Sequence, residues 1–231
     1  MTGRFRLNTV VVPAPTHKHR ALRVLQTELA ACRKCANMIG PVICGPPVVS
    51  RVLLIGQAPG PHEGKLGRPF AWTAGKTLFR WFEEATGWDE AAVRERVYFA
   101  AVARCFPGKT KDGSDRRPDA HEIQRCQTYL AREVAILEPD VVLAVGTLAI
   151  EQVLGRKAKL DEVVGKTLRA SYHGRDVLVI ALPHPSGASS WHKTESGKAR
   201  LRRALRHVRA RLQSGDAAKL RARPRTSASG G

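Results

Sequence analysis

The chain has 231 residues, 43% of them apolar, which is enough for one domain with a buried core. Its five cysteines are too few, and odd in number, for a disulfide-stabilised secreted domain. The longest apolar run, 141–150, is too short to span a bilayer, and no N-terminal stretch resembles a signal peptide. We therefore expect a monomer of the bacterial cytosol that does not use a membrane.

The net charge of +19 is high for a chain of this size. Residues 1–20 carry +4 and residues 214–231 carry +3, so +12 lies on the segment between them. A folded surface with this excess favours a polyanionic partner, most often nucleic acid. A generally basic proteome, rich in arginine and alanine, is the alternative explanation.

The apolar spacing predicts alternating helices and strands between two flexible ends. Residues 1–19 are predicted as a flexible basic arm, 20–213 as the folded domain and 214–231 as a disordered basic tail. In chain order we predict helix 20–31, strand 51–56, helix 75–86, strand 97–102, helix 118–137, strand 140–146, helix 147–154, strand 177–182 and helix 198–212. This alternation predicts an α/β protein, a three-layer α/β/α sandwich with a central, mainly parallel four-stranded sheet.

Four cysteines have the spacing of a soft-metal or iron–sulfur site. Cys32 and Cys35 form a Cys-x-x-Cys pair, and Cys105 and Cys126 follow far downstream. In a reducing compartment such a set is more typical of metal ligands than of disulfides, and it would hold remote segments together. Ordinary small core residues are the alternative.

Two loops follow predicted strands, where open α/β sheets bind their ligands. The loop at 56–70 contains four glycines and three prolines, so its backbone is both constrained and closely approachable. The second loop begins His184-Pro185-Ser186, directly after an apolar strand. A histidine there can donate a hydrogen bond to a developing anion, or it can be a structural cap of the strand.

Taken in order, these motifs resemble the uracil-DNA glycosylase superfamily. The resemblance rests on Gly56-Gln57-Ala58-Pro59-Gly60, on Gly67-Arg68-Pro69-Phe70, on Ala74-Gly75, on the four cysteines and on His184-Pro185-Ser186. It covers roughly residues 22–212 and is nearest to the iron–sulfur branches called families 4 and 5.

The resemblance implies a role for each matching residue. The catalytic residues would be His184, Glu63 and Gln57, and the substrate-binding residues would be Gly56, Gln57, Ala58, Phe70, Ala101 and His184. The DNA-binding residues would be Pro59, Gly60, Ser186 and Gly187. The excess of Lys and Arg over 193–211 separately predicts phosphate contacts from Lys193 and Arg202, with a solvated helix face as the alternative. Cys32, Cys35, Cys105 and Cys126 would hold a [4Fe–4S] cluster, with zinc as the lesser possibility.

The chain also departs from the family 4 pattern. Gln57 replaces a glutamate and cannot act as a base, so Glu63 becomes the candidate for orienting water. Ala101 replaces an asparagine that reads the base, and Trp72 replaces a glycine beside Phe70. An insertion falls within 109–115, and Cys44 is an additional cysteine with no predicted role.

The resemblance therefore implies a monofunctional DNA glycosylase that excises uracil and initiates base excision repair. Two alternatives remain open. One is a glycosylase that prefers deaminated purines, because Ala101 and Gln57 loosen the reading of the base. The other is a non-catalytic protein that binds damaged or abasic DNA.

Overall fold

The computed structural model describes residues 16–187 and 189–221, with side chains up to residue 213. Within these residues the α-helices are His17–Ala30 (α1), Glu63–Leu66 (α2), Thr73–Thr86 (α3), Glu90–Arg96 (α4), Ala120–Leu137 (α5), Thr147–Leu154 (α6), Leu160–Val163 (α7) and Glu195–Arg221 (α8). The strands are Val52–Gly56 (β1), Tyr98–Ala101 (β2), Val141–Val145 (β3), Thr167–Tyr172 (β4) and Arg175–Leu182 (β5), and a short 3₁₀ helix spans Trp191–Lys193.

The strands form one sheet in the order β2-β1-β3-β5-β4. Strands β2, β1, β3 and β5 pair in parallel, and β4 pairs antiparallel with β5 at the edge. All of β3 is buried, and β1 is buried from Leu53 onwards, as expected for parallel strands covered on both faces. The predicted α/β fold with a central, mainly parallel sheet is confirmed, with five strands where we predicted four.

The additional strand, β4, lacks the continuous apolar run of the others. Its residues alternate in exposure, as is usual for an edge strand with one face towards solvent. His173 and Gly174 join it to β5, with φ angles of 49° and 77°. Two positive φ angles are the requirement of a tight two-residue hairpin, so the His-Gly dipeptide was the available signal.

Helices surround the sheet and leave the carboxyl ends of its strands open. Helix α1 packs against α5, α3 packs against α8, and α8 also contacts β5. Helix α5 begins with a capping box, in which Asp119 accepts from the N–H of Glu122 and Glu122 accepts from the N–H of Asp119. The predicted helix at 118–137 therefore begins two residues later, at Ala120.

The two predicted flexible ends lie mostly outside the described residues, which exclude 1–15 and 222–231. Among their described residues, 17–19 and 214–221 are helical. Thr16 caps α1 by accepting from the N–H of His19, so the helix begins at His17. Helix α8 continues through 214–221. In the part of the chain that the structure describes, no helix is long and apolar enough to cross a membrane.

Candidate active site

A cavity of about 600 Å³ opens at the carboxyl ends of the parallel strands. Its walls come from the residue that ends or follows each strand, namely Gly56 for β1, Ala101 for β2, Gly146 for β3 and His184 for β5. The structure thus brings to one place most of the predicted site residues, namely Gly56, Gln57, Ala58, Pro59, Gly60, Glu63, Phe70, Ala101, His184 and Ser186.

The ring of Phe70 lies against the backbone of Gly56. A Cβ built at Gly56 would be 2.9 Å from Cζ of Phe70, so only glycine allows this approach. Phe70 itself has a φ of 52°, which is strained for an aromatic residue. Gly75 permits that conformation, because a Cβ there would be 1.7 Å from the Phe70 carbonyl oxygen.

Arg94 stabilises the strained backbone from behind. Its Nη2 donates to the carbonyl oxygens of Pro69 at 2.9 Å and of Phe70 at 3.2 Å. The guanidinium also lies 4.5 Å from the ring centroid of Phe79, a cation–π contact in the core. The position of the Phe70 ring is therefore fixed by contacts made before any ligand enters.

His184 contacts Ser186 through Nδ1. The N–H of Ser186 donates to Nδ1 at 3.3 Å, and the hydroxyl oxygen of Ser186 lies 2.9 Å from the same nitrogen. With Nδ1 accepting from the Ser186 N–H, the proton of a neutral ring is assigned to Nε2. Burial lowers the pKa of His184, the Asp115 carboxylate opposes that effect, and His192 adds to it. Gly146, with a φ of 86°, leaves room for the ring, since a Cβ there would be 3.1 Å from Cδ2 of His184.

Two carboxylates flank Gly60 on the cavity wall. Glu63 is buried, and its Oε2 accepts from the N–H of Gly60 at 3.0 Å. A Cβ built at Gly60 would be 3.0 Å from that oxygen and 3.7 Å from Oδ2 of Asp115. The sequence pointed to Glu63 but gave no sign of Asp115, which lies in the insertion.

The insertion folds as a small hairpin that forms part of the cavity wall. Lys109 and Asp115 form a β-bridge and an ion pair with a distance of 2.6 Å between Nζ and Oδ1. Within it, the N–H of Thr110 donates to the carbonyl of Ser114 at 2.8 Å. The hairpin and the residues that follow it add four charged side chains to the cavity wall, namely Lys109, Asp115, Arg116 and Arg117.

Three predicted DNA-binding residues lie outside the cavity. Gly187 and Lys193 are exposed and contact each other, because Nζ of Lys193 donates to the Gly187 carbonyl at 3.3 Å. Arg202 is exposed on α8. Trp72, noted in the sequence as a departure, is exposed at the mouth of the cavity.

The four predicted metal ligands line a second, smaller cavity of about 230 Å³, namely Cys32, Cys35, Cys105 and Cys126. Burial, followed by the other three thiols, raises the pKa of Cys105 to about 11. A raised pKa favours the protonated thiol, and a bound metal would be needed to stabilise the thiolate. Four cysteines are the donor set of either a [4Fe–4S] cluster or a zinc ion. Among residues 16–187 and 189–213, no three His, Cys, Asp or Glu side chains are grouped closely enough for a single metal ion.

A buried ionic network separates the two cavities. Arg104 lines the cysteine cavity, and its Nε donates to the carbonyl of Ala101, a residue of the larger cavity, at 3.1 Å. Its Nη2 donates to Glu133, which also accepts from the hydroxyl of Tyr98 at 2.6 Å. Burial alone would lower the pKa of Arg104, but the charge of Glu133, together with those of Tyr98, Cys44 and Cys126, raises that pKa above its usual value.

Comparison with known proteins agrees with the motifs. The family model described as the uracil DNA glycosylase superfamily matches residues 44–209. Similar curated proteins include the type-4 uracil-DNA glycosylases of Sulfurisphaera tokodaii, 27% identical over 73% of this chain and 76% of the relative, and of Archaeoglobus fulgidus, 28% identical over 69% and 78%. The type-5 uracil-DNA glycosylase of Pyrobaculum aerophilum is 30% identical over 59% of this chain and 62% of the relative.

The family model spans more than half of the chain, from before the first strand into the last helix. It includes the loop at 56–70, the hairpin insertion and the His184 loop, so the match extends over the whole cavity and not over the sheet alone. This chain, an enzyme of the glycosylase type, therefore belongs to the uracil-DNA glycosylase superfamily.

Proposed function

We propose that this chain is a monofunctional DNA glycosylase that excises uracil from DNA by hydrolysis of the N-glycosidic bond. The observation that carries the proposal is the pairing, in one cavity, of His184, whose Nδ1 accepts from the Ser186 N–H, with a pre-positioned Phe70 ring. A base extruded from the helix needs a stacking surface and hydrogen bonds to its edge, and a departing base needs a donor for its negative charge.

Phe70 and the backbone after β1 would hold the base. The ring would stack on one face of the uracil, while the backbone of Gly56, Gln57 and Ala58 would lie along its edge. Because Phe70 is already fixed by Gly75 and Arg94, little ordering is lost when the base enters.

Nε2–H of His184 would donate to O2 of the uracil. As the glycosidic bond breaks, negative charge collects on the base, and the hydrogen bond strengthens along the reaction. With Nδ1 accepting from the Ser186 N–H, a neutral imidazole would carry its proton on Nε2, and that nitrogen would serve as the donor to a ligand.

Water would then add to the oxocarbenium-like sugar, oriented by a carboxylate. We propose Glu63 for this role, with Asp115 as a second negative charge beside Gly60 that stabilises the cationic sugar. The Gln57 side chain can orient water but cannot accept its proton. A covalent amine intermediate is not required, and Lys109 of the cavity wall is already ion-paired with Asp115.

DNA binding would rest mainly on phosphate contacts. Pro59, Gly60, Ser186 and Gly187 lie on the two loops beside the cavity, and Lys193 and Arg202 add exposed positive charge at the end of the second loop and on α8. Such contacts make affinity fall steeply as salt rises. We propose that the enzyme acts as a monomer on DNA in the bacterial cytosol or nucleoid.

A separate observation bears on which damaged bases the enzyme excises. Ala101, buried at the end of β2, offers no polar side chain to read the edge of uracil. The cavity of about 600 Å³ lies within the ordinary size range of small-molecule sites and is lined largely by loops. This favours hypoxanthine or xanthine as additional substrates of the same site.

The decisive experiment uses labelled duplexes that carry one uracil, hypoxanthine or xanthine, followed by alkali to cleave abasic strands. We expect scission at uracil, and release of free uracil without strand cleavage before alkali. Scission at a purine lesion alone would replace the substrate but keep the mechanism. Binding without scission at any base would instead favour the non-catalytic alternative.

For the second cavity we propose that Cys32, Cys35, Cys105 and Cys126 hold a [4Fe–4S] cluster. The support is the donor set, four thiols around one cavity in a chain with no predicted disulfides. The cluster would act structurally, joining the end of α1, the turn after β2 and helix α5.

We expect anaerobically purified protein to be brown, with about four iron and four sulfide per chain. Cys105→Ser should lose the colour and the iron, because a ligand is removed. Cys44→Ser is the matched control, since Cys44 lies outside the cavity lining and should leave the iron content unchanged. Colourless protein with about one zinc would overturn the proposal.

A further inference from the structure

An exposed pair of aromatic rings lies at the mouth of the larger cavity. The rings of His62 and Trp72 have centroids 4.3 Å apart and an interplanar angle of 31°. Trp72 is 44% exposed and also lines the cavity. We call these two residues the aromatic rim.

The exposure of Trp72 is unusual in this chain. Among the Phe, Tyr and Trp residues in the described part, every other side chain is buried or half-buried. Trp72 precedes α3 but makes no capping hydrogen bond through its side chain. The indole therefore packs beside the His62 ring and leaves nearly half of its surface in water, where it can contact a ligand.

The rim is continuous with the interior of the cavity. Phe70, inside, and Trp72, at the mouth, are two residues apart on the same wall, and Thr73 and Ala74 continue that wall into α3. When a base stacks on Phe70 inside the cavity, the adjacent bases of the same DNA strand lie just outside the cavity. The rim is placed where those neighbours would lie.

Three exposed cations lie close to the rim in sequence. Lys65 and Arg68 are in the same segment as His62, with Arg68 also 3.3 Å from a Glu90 oxygen, and Lys76 is in the first turn of α3, where its N–H donates to the Trp72 carbonyl at 3.1 Å. Cations beside an exposed aromatic ring are the pattern of a single-strand binding surface, where the charges contact phosphates and the ring stacks on a base.

We infer that the aromatic rim stacks on the nucleobase next to the extruded nucleotide, and this inference rests on the proposed function. Extrusion unstacks the neighbouring base at a cost of a few kcal/mol, which a protein side chain can offset. Before the 3₁₀ helix that begins at Trp191, the loop after His184 has no aromatic side chain at its described positions, Pro185, Ser186, Gly187, Ser189 and Ser190. The rim supplies one from the opposite loop.

The test measures binding of the full-length protein to a uracil-free single strand that carries one 2-aminopurine, and to a uracil duplex with 2-aminopurine next to the uracil. We expect Trp72→Ala to weaken both affinities by about 5- to 100-fold and to abolish the change in 2-aminopurine fluorescence. Trp72→Phe should recover most of the affinity. Val24→Ala, which alters an exposed apolar side chain on α1, is the control and should bind as the parent does.

Each outcome decides the inference separately from the proposed function. If Trp72→Ala leaves the affinity and the fluorescence change as in the parent protein, the inference that the aromatic rim stacks on a base is wrong. A fluorescence change that appears only when 2-aminopurine replaces the extruded base would also overturn it, because Trp72 would then cover the cavity. If the parent protein binds the uracil-free strand through Trp72 but releases no base, the rim stands and the glycosylase proposal fails.

Discussion

His184→Ala is expected to lower the single-turnover rate of uracil release by about 100- to 1000-fold, the usual loss for one donor to a developing anion. The Nε2–H that would stabilise the departing uracil is removed, while the Phe70 surface and the basic loops remain. Affinity for uracil-containing duplex should therefore change much less than the rate. Rapid-quench measurement at saturating enzyme, with a separate binding titration, checks both.

His121→Ala is the matched control, because His121 is exposed on α5, away from the cavity lining. It should leave rate and affinity unchanged. Equal losses of affinity and rate in His184→Ala would contradict a role confined to the transition state. Loss of affinity alone would make His184 a binding residue.

The lowered pKa of His184 also gives an expected pH dependence. Because the pKa of His184 is lower in the folded protein, the folded chain binds fewer protons than the unfolded chain as the pH falls through the ordinary histidine pKa of about 6.5. The contribution of His184 to stability is therefore present above that pH and is lost as the pH falls below it. His184→Ala should remove this part of the pH dependence.

Arg104→Met is expected to destabilise the fold by about 3–5 kcal/mol, as is usual when one partner of a buried ion pair is removed. The side chains of Arg104 and Glu133 are 2% and 0% exposed, so the remaining carboxylate has no access to water. Chemical denaturation of Arg104→Met, followed by circular dichroism, measures the loss.

The matched control is Arg132→Met, on the same helix as Glu133. Arg132 pairs with Glu28, but both side chains are about half exposed, so water screens the pair. We expect no measurable change in the denaturation midpoint. If Arg104→Met were as stable as the control, the buried network would not contribute to stability. If Arg104→Met proves too unstable to purify, Glu133→Gln, which keeps two hydrogen-bonding groups, provides the graded comparison.

The strands and the two loops were predictable because each depends on residues close together in sequence. Strand β3 is an unbroken apolar run, and the glycines and prolines of 56–70 predict a loop with a constrained backbone. Because open α/β sheets bind ligands at the carboxyl ends of their strands, Gly56 and His184 were expected at one end of the sheet, although they are 128 residues apart in sequence. Local pattern and a topological rule were enough for this part.

The rest depends on contacts that no local pattern encodes. Arg94 looks like one more arginine of a charged helix, yet it donates to the carbonyl of Phe70, 24 residues earlier. Asp115 looks like a loop carboxylate, and its approach to Gly60 arises only when the hairpin folds back over the cavity. Trp72 was visible as a departure, but its exposure depends on how α3 meets the loop before it.

The hairpin at the cavity has a consequence for how this enzyme can change. Its hydrogen bonds close on themselves, from Thr110 to Ser114 and from Arg116 to Gly108, and it contributes no strand to the sheet. One wall of the cavity can therefore change in length without altering a strand of the sheet, provided that Asp115 and the ion pair of Arg116 with Glu122 of α5 are kept. Under the proposed function, the shape of the base pocket can thus vary while the sheet that supports it stays the same.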